Sequence, residues 1–230
     1  MVRRDTHERL TAVAEASTEV FGRLGYRGTR MADVAAAAGM SAGSIFNYVE
    51  SKEALFHLVF AYGFSQLGDP VLLPLPTPAP GETVALISES VRAIRAPRLQ
   101  AALADSNPSE VATELRRIVE ERYSIVERHW PLFAVIERCA VEMPDLEEFY
   151  FQRTRSAFFA GLARYLEARG SAGVLRPMPD AAVTARIISE TIAWFAWKRH
   201  QGRDALLFDD ELTRRTVVEF VCAALLEPPL

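Results

Sequence analysis

The sequence predicts an all-α fold, with an N-terminal three-helix unit built around a helix-turn-helix and a larger helical bundle after it. Three observations carry this. Apolar residues recur at spacings of three and four along almost the whole chain, and no run reads as an alternating strand. Residues 29–53, TRMADVAAAAGMSAGSIFNYVESKE, form two short helical patterns that meet at Gly39. Between residues 69 and 81 the stretch DPVLLPLPTPAPG holds five prolines, which exclude helix and divide the chain.

In chain order, Leu10, Val13, Ser17, Val20, Phe21 and Leu24 share one face, so residues 6–24 read as an amphipathic helix. Gly25 ends it, and Tyr26 packs beneath the turn. Residues 30–38 form the next helix, capped by Thr29, with Met31, Val34 and Ala35 as its apolar stripe. Gly39 tolerates the left-handed backbone that stops a helix, and Ser41 caps another running to about Val49. Ser51 caps a fourth helix over residues 52–67, with Leu55, Phe56 and Val59 inward; it leaves the unit directly and is a natural lever. The proline-rich stretch reads as an extended linker whose Leu72, Leu73 and Leu75 lie against the next domain. Beyond it, helices are predicted at 82–95, 98–104, 108–129, 131–141, 145–170, 180–201 and 209–226, with Pro108, Pro144 and Pro179 at helix starts. The expected domains are 1–68, a linker at 69–81, and 82–230.

The helix-turn-helix has the chemistry of a major-groove reader, in which the second helix presents its N-terminal residues to base edges. Ser41, Ala42, Gly43 and Ser44 are small enough for close backbone approach. Asn47 offers a donor and an acceptor to a base edge, and Tyr48 can bond a phosphate or pack on a base methyl. Lys52, in the first turn of the following helix, is a phosphate-type contact. The net charge of −4 lies wholly outside residues 1–67, which hold seven basic and seven acidic residues. Arg3, Arg4, Arg27, Arg30 and Lys52 are expected to converge as a local positive footprint.

Three motifs occur together at fixed spacing: G-Y-x-G-T at 25–29, D-V-A-A-A-A-G-M-S at 33–41 and S-K-E-A-L-F at 51–56. Over about residues 8–67 the chain resembles the TetR family of bacterial transcriptional regulators. The resemblance implies a DNA-binding domain followed by a ligand-binding and dimerisation bundle. It also implies a repressor that binds a pseudo-palindromic double-stranded operator as a homodimer and is released by a small-molecule effector. The expected DNA contacts are Thr29, Arg30, Ser41, Ala42, Gly43, Ser44, Phe46, Asn47, Tyr48 and Lys52. Family members commonly carry Gly-Thr-x-Tyr where this chain has Gly43, Ser44, Ile45 and Phe46, so a hydroxyl contact to phosphate is absent at Phe46. Where they often have Phe, this chain has Val49, a difference of packing.

Other classes lack their signals. No apolar run approaches the roughly 18 residues of a membrane span, and no apolar h-region follows the charged first ten residues, so a soluble cytoplasmic protein is expected. Cys139 and Cys222 read as buried thiols. The four histidines are isolated, and no nucleophile elbow, dinucleotide fingerprint or P-loop occurs, so no catalytic residue, metal site or cofactor is expected. Glu137, Glu142, Glu147 and Glu148 read as an acidic helix face.

Twelve of the 22 aromatic residues lie between Tyr123 and Trp197, which suits a pocket for a small apolar or aromatic ligand lined by Trp130, Phe133, Phe151, Phe158 and Trp194. Residues 217–226 and the helix carrying Ile187, Ile188, Ile192, Trp194, Phe195 and Trp197 are apolar nearly all round, and pairing with a second copy would cover them. Ile188 and Val221 are the interface residues expected there. The alternative reading is a helical small-molecule-binding protein or enzyme in which the N-terminal motif is scaffold alone.

Overall fold

The computed structural model describes residues 2–68, 71–94, 96–105, 110–202 and 208–226, with side chains from His7 onward. The described residues form ten α-helices and three short non-α helical segments. They divide into two compact units: Met1–Ile94 with Pro131–Tyr150, and Arg95–Trp130 with Phe151–Leu230.

The first unit opens with α1 (Val2–Gly28), α2 (Met31–Ala37), a single-turn 3₁₀ segment (Ser44–Asn47) and α3 (Lys52–Gly63). Its core follows from the apolar stripes: Val13, Val20 and Phe21 of α1, Val34 and Ala35 of α2, and Leu55, Phe56, Val59 and Phe60 of α3 are fully enclosed. Phe56 meets Phe21, Tyr26 and Phe60 edge to face at 5.1–5.2 Å, the geometry in which aromatic pairs gain beyond their buried area. Ser51 caps α3 as expected, accepting from the Ala54 N–H at 3.1 Å. α4 (Glu82–Ala93) follows, and Pro131–Tyr150 contributes the C-terminal end of α6 and the short α7 (Pro144–Glu147). Cys139 is buried in this packing, and burial pushes its thiol up to about 12, which leaves it protonated and inert.

The second unit contains α5 (Pro97–Ala104), α6 (Val111–Ala140) as far as Trp130, a π-helical turn (Glu148–Arg155) from Phe151 onward, and α8 (Ser156–Ser171). After these come α9 (Ala181–Ala196), a 3₁₀ turn (Lys198–Gln201) and α10 (Asp210–Leu225). Asp180 and Asp209 cap α9 and α10, accepting from Val183 and Leu212 at 2.7 and 2.8 Å. Arg169 is buried yet satisfied: its guanidinium donates to Glu114 at 3.0 Å and to the Ala102 and Asp105 carbonyls at 2.6 and 3.0 Å. Arg116 and Glu219 pair bidentately between α6 and α10.

Several sequence expectations are corrected. Thr29 does not cap α2; Arg30 occupies that position, while the Thr29 hydroxyl, 2% exposed, donates to the Gly25 carbonyl. The helix expected over residues 41–49 is a turn followed by 3₁₀ Ser44–Asn47, because Gly43, Ser44 and Asn47 are poor helix formers and the chain at Tyr48 and Glu50 bonds elsewhere. Residues 108–129 and 131–141 are not two helices; α6 runs through Pro131, whose missing N–H removes one bond from an otherwise intact ladder. Pro108 lies outside the described residues. Residues 145–170 are interrupted by the π-helical turn. The proline-rich stretch, whose first two residues lie outside the described set, bonds to the exit of the 3₁₀ segment through Leu75 and Thr77.

Gly25 breaks α1 at φ 76° and ψ 178°, a region only glycine adopts freely, and a Cβ there would stand 3.0 Å from Glu142 Oε1. Gly25→Ala is therefore expected to lower unfolding stability by about 1–3 kcal/mol. Gly39→Ala, also at positive φ but with no atom within 4 Å of the new methyl, is expected to cost about 1–2 kcal/mol. Urea denaturation of both variants checks the order.

Candidate nucleic-acid interface

The turn between α2 and the 3₁₀ segment is set by Gly39 at φ +68°, after which Met40 N–H returns to the Ala35 carbonyl. Ser41, Ala42, Gly43, Phe46 and Asn47 are all exposed on the outer face, and Ser44 and Tyr48 are half-buried. Ile45 and Val49 point inward and are fully buried, which fixes which side of the segment faces out. Phe46, 50% exposed, presents a bare ring on that face. A surface of small residues, an amide and an aromatic ring can approach base edges and thymine methyls without a bulky side chain in the way.

The loop entering α2 is held from several sides. Lys52 donates its ammonium to the Tyr26 and Thr29 carbonyls at 3.0 and 3.2 Å and sits 4.6 Å from the Tyr26 ring centroid. Two of its three donors are thus internal, leaving one for a phosphate. Tyr26 donates to Glu53 at 3.0 Å; burial first, then this bond, drives the phenol well above its ordinary value, so it remains a donor at neutral pH. The same pair, after the backbone N–H of Glu53 itself, lowers the Glu53 carboxyl. Glu142, from Pro131–Tyr150, accepts the Arg27 N–H at 2.7 Å. The side chains of Arg27 and Arg30 extend from this loop and are exposed. Those of Arg3 and Arg4 lie outside the described residues.

The ten expected DNA contacts therefore share the first unit, but in different roles. Ser41, Ala42, Gly43, Phe46, Asn47 and Arg30 are exposed; Thr29 is interior and acts on backbone; Lys52 is mainly a clamp. The sequence motifs named Lys52 and Tyr26 without signalling that one caps the carbonyl of the other. Glu142 and the proline-rich stretch are the contributors that sequence spacing missed, since both are remote in the chain.

The five expected ligand-lining residues are placed as follows. Phe133 is in the first unit, buried, 6.5 Å from Tyr150. In the second unit, Trp130 stacks on His200 at 5.4 Å, Phe158 lies 4.1 Å from the Arg122 guanidinium, and Phe151 lies 5.7 Å from that of Arg155. Trp194 meets Phe195 edge to face and is 43% exposed. A cavity of about 270 Å³ in the second unit is lined instead by residues including Arg98, Asp105, Glu114 and Arg117. Among the described residues, no group of His, Cys, Asp and Glu could hold a metal ion, and no helix is long and apolar enough to cross a membrane.

Asn47→Ala is expected to relax preference at one base pair by about 1–3 kcal/mol with stability unchanged, because the amide is exposed. Lys52→Ala is expected to destabilise the unit by about 1–3 kcal/mol, the cost of unpairing buried carbonyls from a charged donor, and to flatten the salt slope of DNA binding by at most about one. Binding isotherms at several salt concentrations, read beside denaturation curves, separate the two.

Residues 13–59 match the family described as bacterial regulatory proteins, tetR family. No curated protein matches the chain. Among solved structures, AibR in complex with isovaleryl coenzyme A and operator DNA is similar, with a TM-score of 0.52, 18% identity, and 92% of this chain and 97% of that one covered. Apo AibR gives a TM-score of 0.51 at 19% identity, covering 96% and 99%. A putative TetR-family transcriptional regulator from Mesorhizobium loti MAFF303099 gives 0.46 at 17%, covering 96% and 98%. Residues 13–59 thus carry the signature of the tetR-type bacterial regulatory proteins, and the all-helical fold of the chain is the one seen in AibR.

Proposed function

We propose that the protein is a ligand-responsive repressor that binds a pseudo-palindromic operator as a homodimer and releases it when a small ligand with an apolar portion enters the second unit. The observation that carries this reading is the exposed outer face of the turn and 3₁₀ segment, backed by a buried inner face. The similarity to AibR supports the ligand-responsive part and makes short acyl thioesters of coenzyme A the first class to test. Phenylalanine rings beside guanidinium groups, Phe158 at Arg122 and Phe159 at Arg186, suit a ligand that joins an apolar group to an anionic one.

Dimerisation is supported by an uncovered apolar face. Val183, Ile187 and Trp194 of α9 and Leu212 and Phe220 of α10 are exposed, at 59% for Ile187 and 65% for Phe220. Large contiguous apolar surface is unusual on a monomer, and a twofold axis would bury the same patch on both copies. Ile188 and Val221, 6% and 3% exposed, belong to the protomer core, so they are not the interface residues expected from the sequence. Periodicity alone does not tell which side of each helix the protomer itself covers.

Ile187→Glu and Phe220→Glu are each expected to yield monomers in sedimentation velocity without unfolding, and to weaken operator binding at least tenfold. Ile188→Glu is expected to unfold the second unit instead, through an uncompensated buried charge. For the ligand, tryptophan fluorescence titrated with isovaleryl coenzyme A, with and without the DNA upstream of the gene, reports the coupling. A 5- to 150-fold difference between the two titrations, the range of about 1–3 kcal/mol, is expected. Equal affinity in both would sink the release mechanism for that compound.

A further inference from the structure

The proline-rich stretch carries an isolated bridge, at Leu75, and keeps its backbone donors on one side. In residues 74–80, P-L-P-T-P-A-P, prolines alternate with Leu75, Thr77 and Ala79. The N–H of each of these three is engaged: Leu75 donates to the Tyr48 carbonyl at 2.8 Å, Thr77 to Glu50 Oε2 at 3.0 Å and Ala79 to Glu82 Oε2 at 2.7 Å. In an extended chain alternate N–H groups face opposite ways, so a proline at every second position deletes only the donors that would face outward. The Glu50 N–H closes the ladder onto the Leu75 carbonyl at 3.0 Å, making a parallel bridge between Val49 and Leu75. The Thr77 hydroxyl then donates to Ser51 Oγ, the atom that caps α3.

These contacts fall on the exit of the 3₁₀ segment, where the Tyr48 and Val49 N–H groups both return to the Ile45 carbonyl, at 3.0 and 3.2 Å, and the Tyr48 carbonyl and Glu50 N–H are left to bond outside the segment. We propose that residues 71–81 are a strap that positions the DNA-reading segment, with Glu50 and Thr77 as its positioning residues. The strap ends at Gly81, the N-cap of α4, whose first residue, Glu82, accepts the Ala79 N–H. It therefore ties the reading segment to the start of α4 by a route separate from α3. This inference rests on the operator reading proposed above, and concerns which residues hold the reader in shape.

The experiment uses the full chain with three variants: Thr77→Val, the double variant Glu50→Ala with Thr77→Val, and Glu50→Gln with Thr77→Val. Operator and non-specific duplex affinities are measured beside amide hydrogen exchange at Glu50 and Leu75. The double variant is expected to accelerate exchange at both amides and to lose operator affinity about tenfold, the scale of one or two hydrogen bonds, while non-specific affinity holds within about twofold. Glu50→Gln, which keeps an acceptor oxygen, is expected to restore most of the difference from Thr77→Val alone. Unchanged operator affinity despite faster exchange overturns the proposal. So does an equal loss on both duplexes, or a Glu50 amide that exchanges freely in the wild type. Should the double variant not fold, Thr77→Val alone is read by the same criteria. A wild type that binds no operator overturns the operator reading itself, which is distinguishable from a strap that does not matter.

Discussion

The segment Ser44–Asn47 is one turn of 3₁₀ helix, too short to hold its own shape, so everything it presents depends on what fixes it from outside. Isolated turns of this length cost more backbone entropy than their few hydrogen bonds return. Two buried side chains, Ile45 and Val49, supply the missing stability from below, at roughly 1.5–3 kcal/mol each for full burial. Main-chain bonds at Tyr48 and Glu50 supply orientation from the side. The division is physical: burial is non-directional and holds the segment down, whereas hydrogen bonds fix its angle.

The loop that precedes α2 is governed by the same need. Residues 25–29 leave the helix at a backbone conformation that frees carbonyls and N–H groups, and four of these find side-chain partners. Lys52 takes two carbonyls, Thr29 takes one, and Glu142 takes the Arg27 N–H. Glu142, two residues past the end of α6, reaches this loop from within the first unit. The helix expected over residues 52–67 ends at Gly63.

Much of the first unit was legible because its signals are local. The stripe Val13, Val20, Phe21, the stop at Gly25 and Gly39 and the cap at Ser51 each depend on neighbours within a turn of helix, and each is found where the periodicity puts it. The failures share a cause. Residue type suggests Thr29 as a cap, but its hydroxyl bonds the Gly25 carbonyl in a loop geometry that propensity does not encode. Pro131 suggests a break because one lost hydrogen bond is visible in sequence, whereas the burial of Leu132, Phe133 and Val135 on the helix that runs through it is not. The aromatic residues from Tyr123 to Trp197 were grouped by density, and density does not tell a core ring such as Tyr123 from an exposed one such as Trp194.

The proline-rich stretch shows what composition alone misses. Five prolines in thirteen residues describe a linker when counted, but their alternation describes an extended segment with one hydrogen-bonding side. A linker would need only to be extended. It would have no use for Leu75, Thr77 and Ala79 at the positions whose N–H groups face the Tyr48–Ser51 exit and α4, nor for a threonine hydroxyl at the atom that caps α3. Proline also lowers the entropy lost when the stretch docks, because its φ is already restricted in the unfolded chain. The same residues that prevent helix formation therefore make docking against the reading segment less costly, and that is the physical reason a proline-rich sequence can serve as a brace.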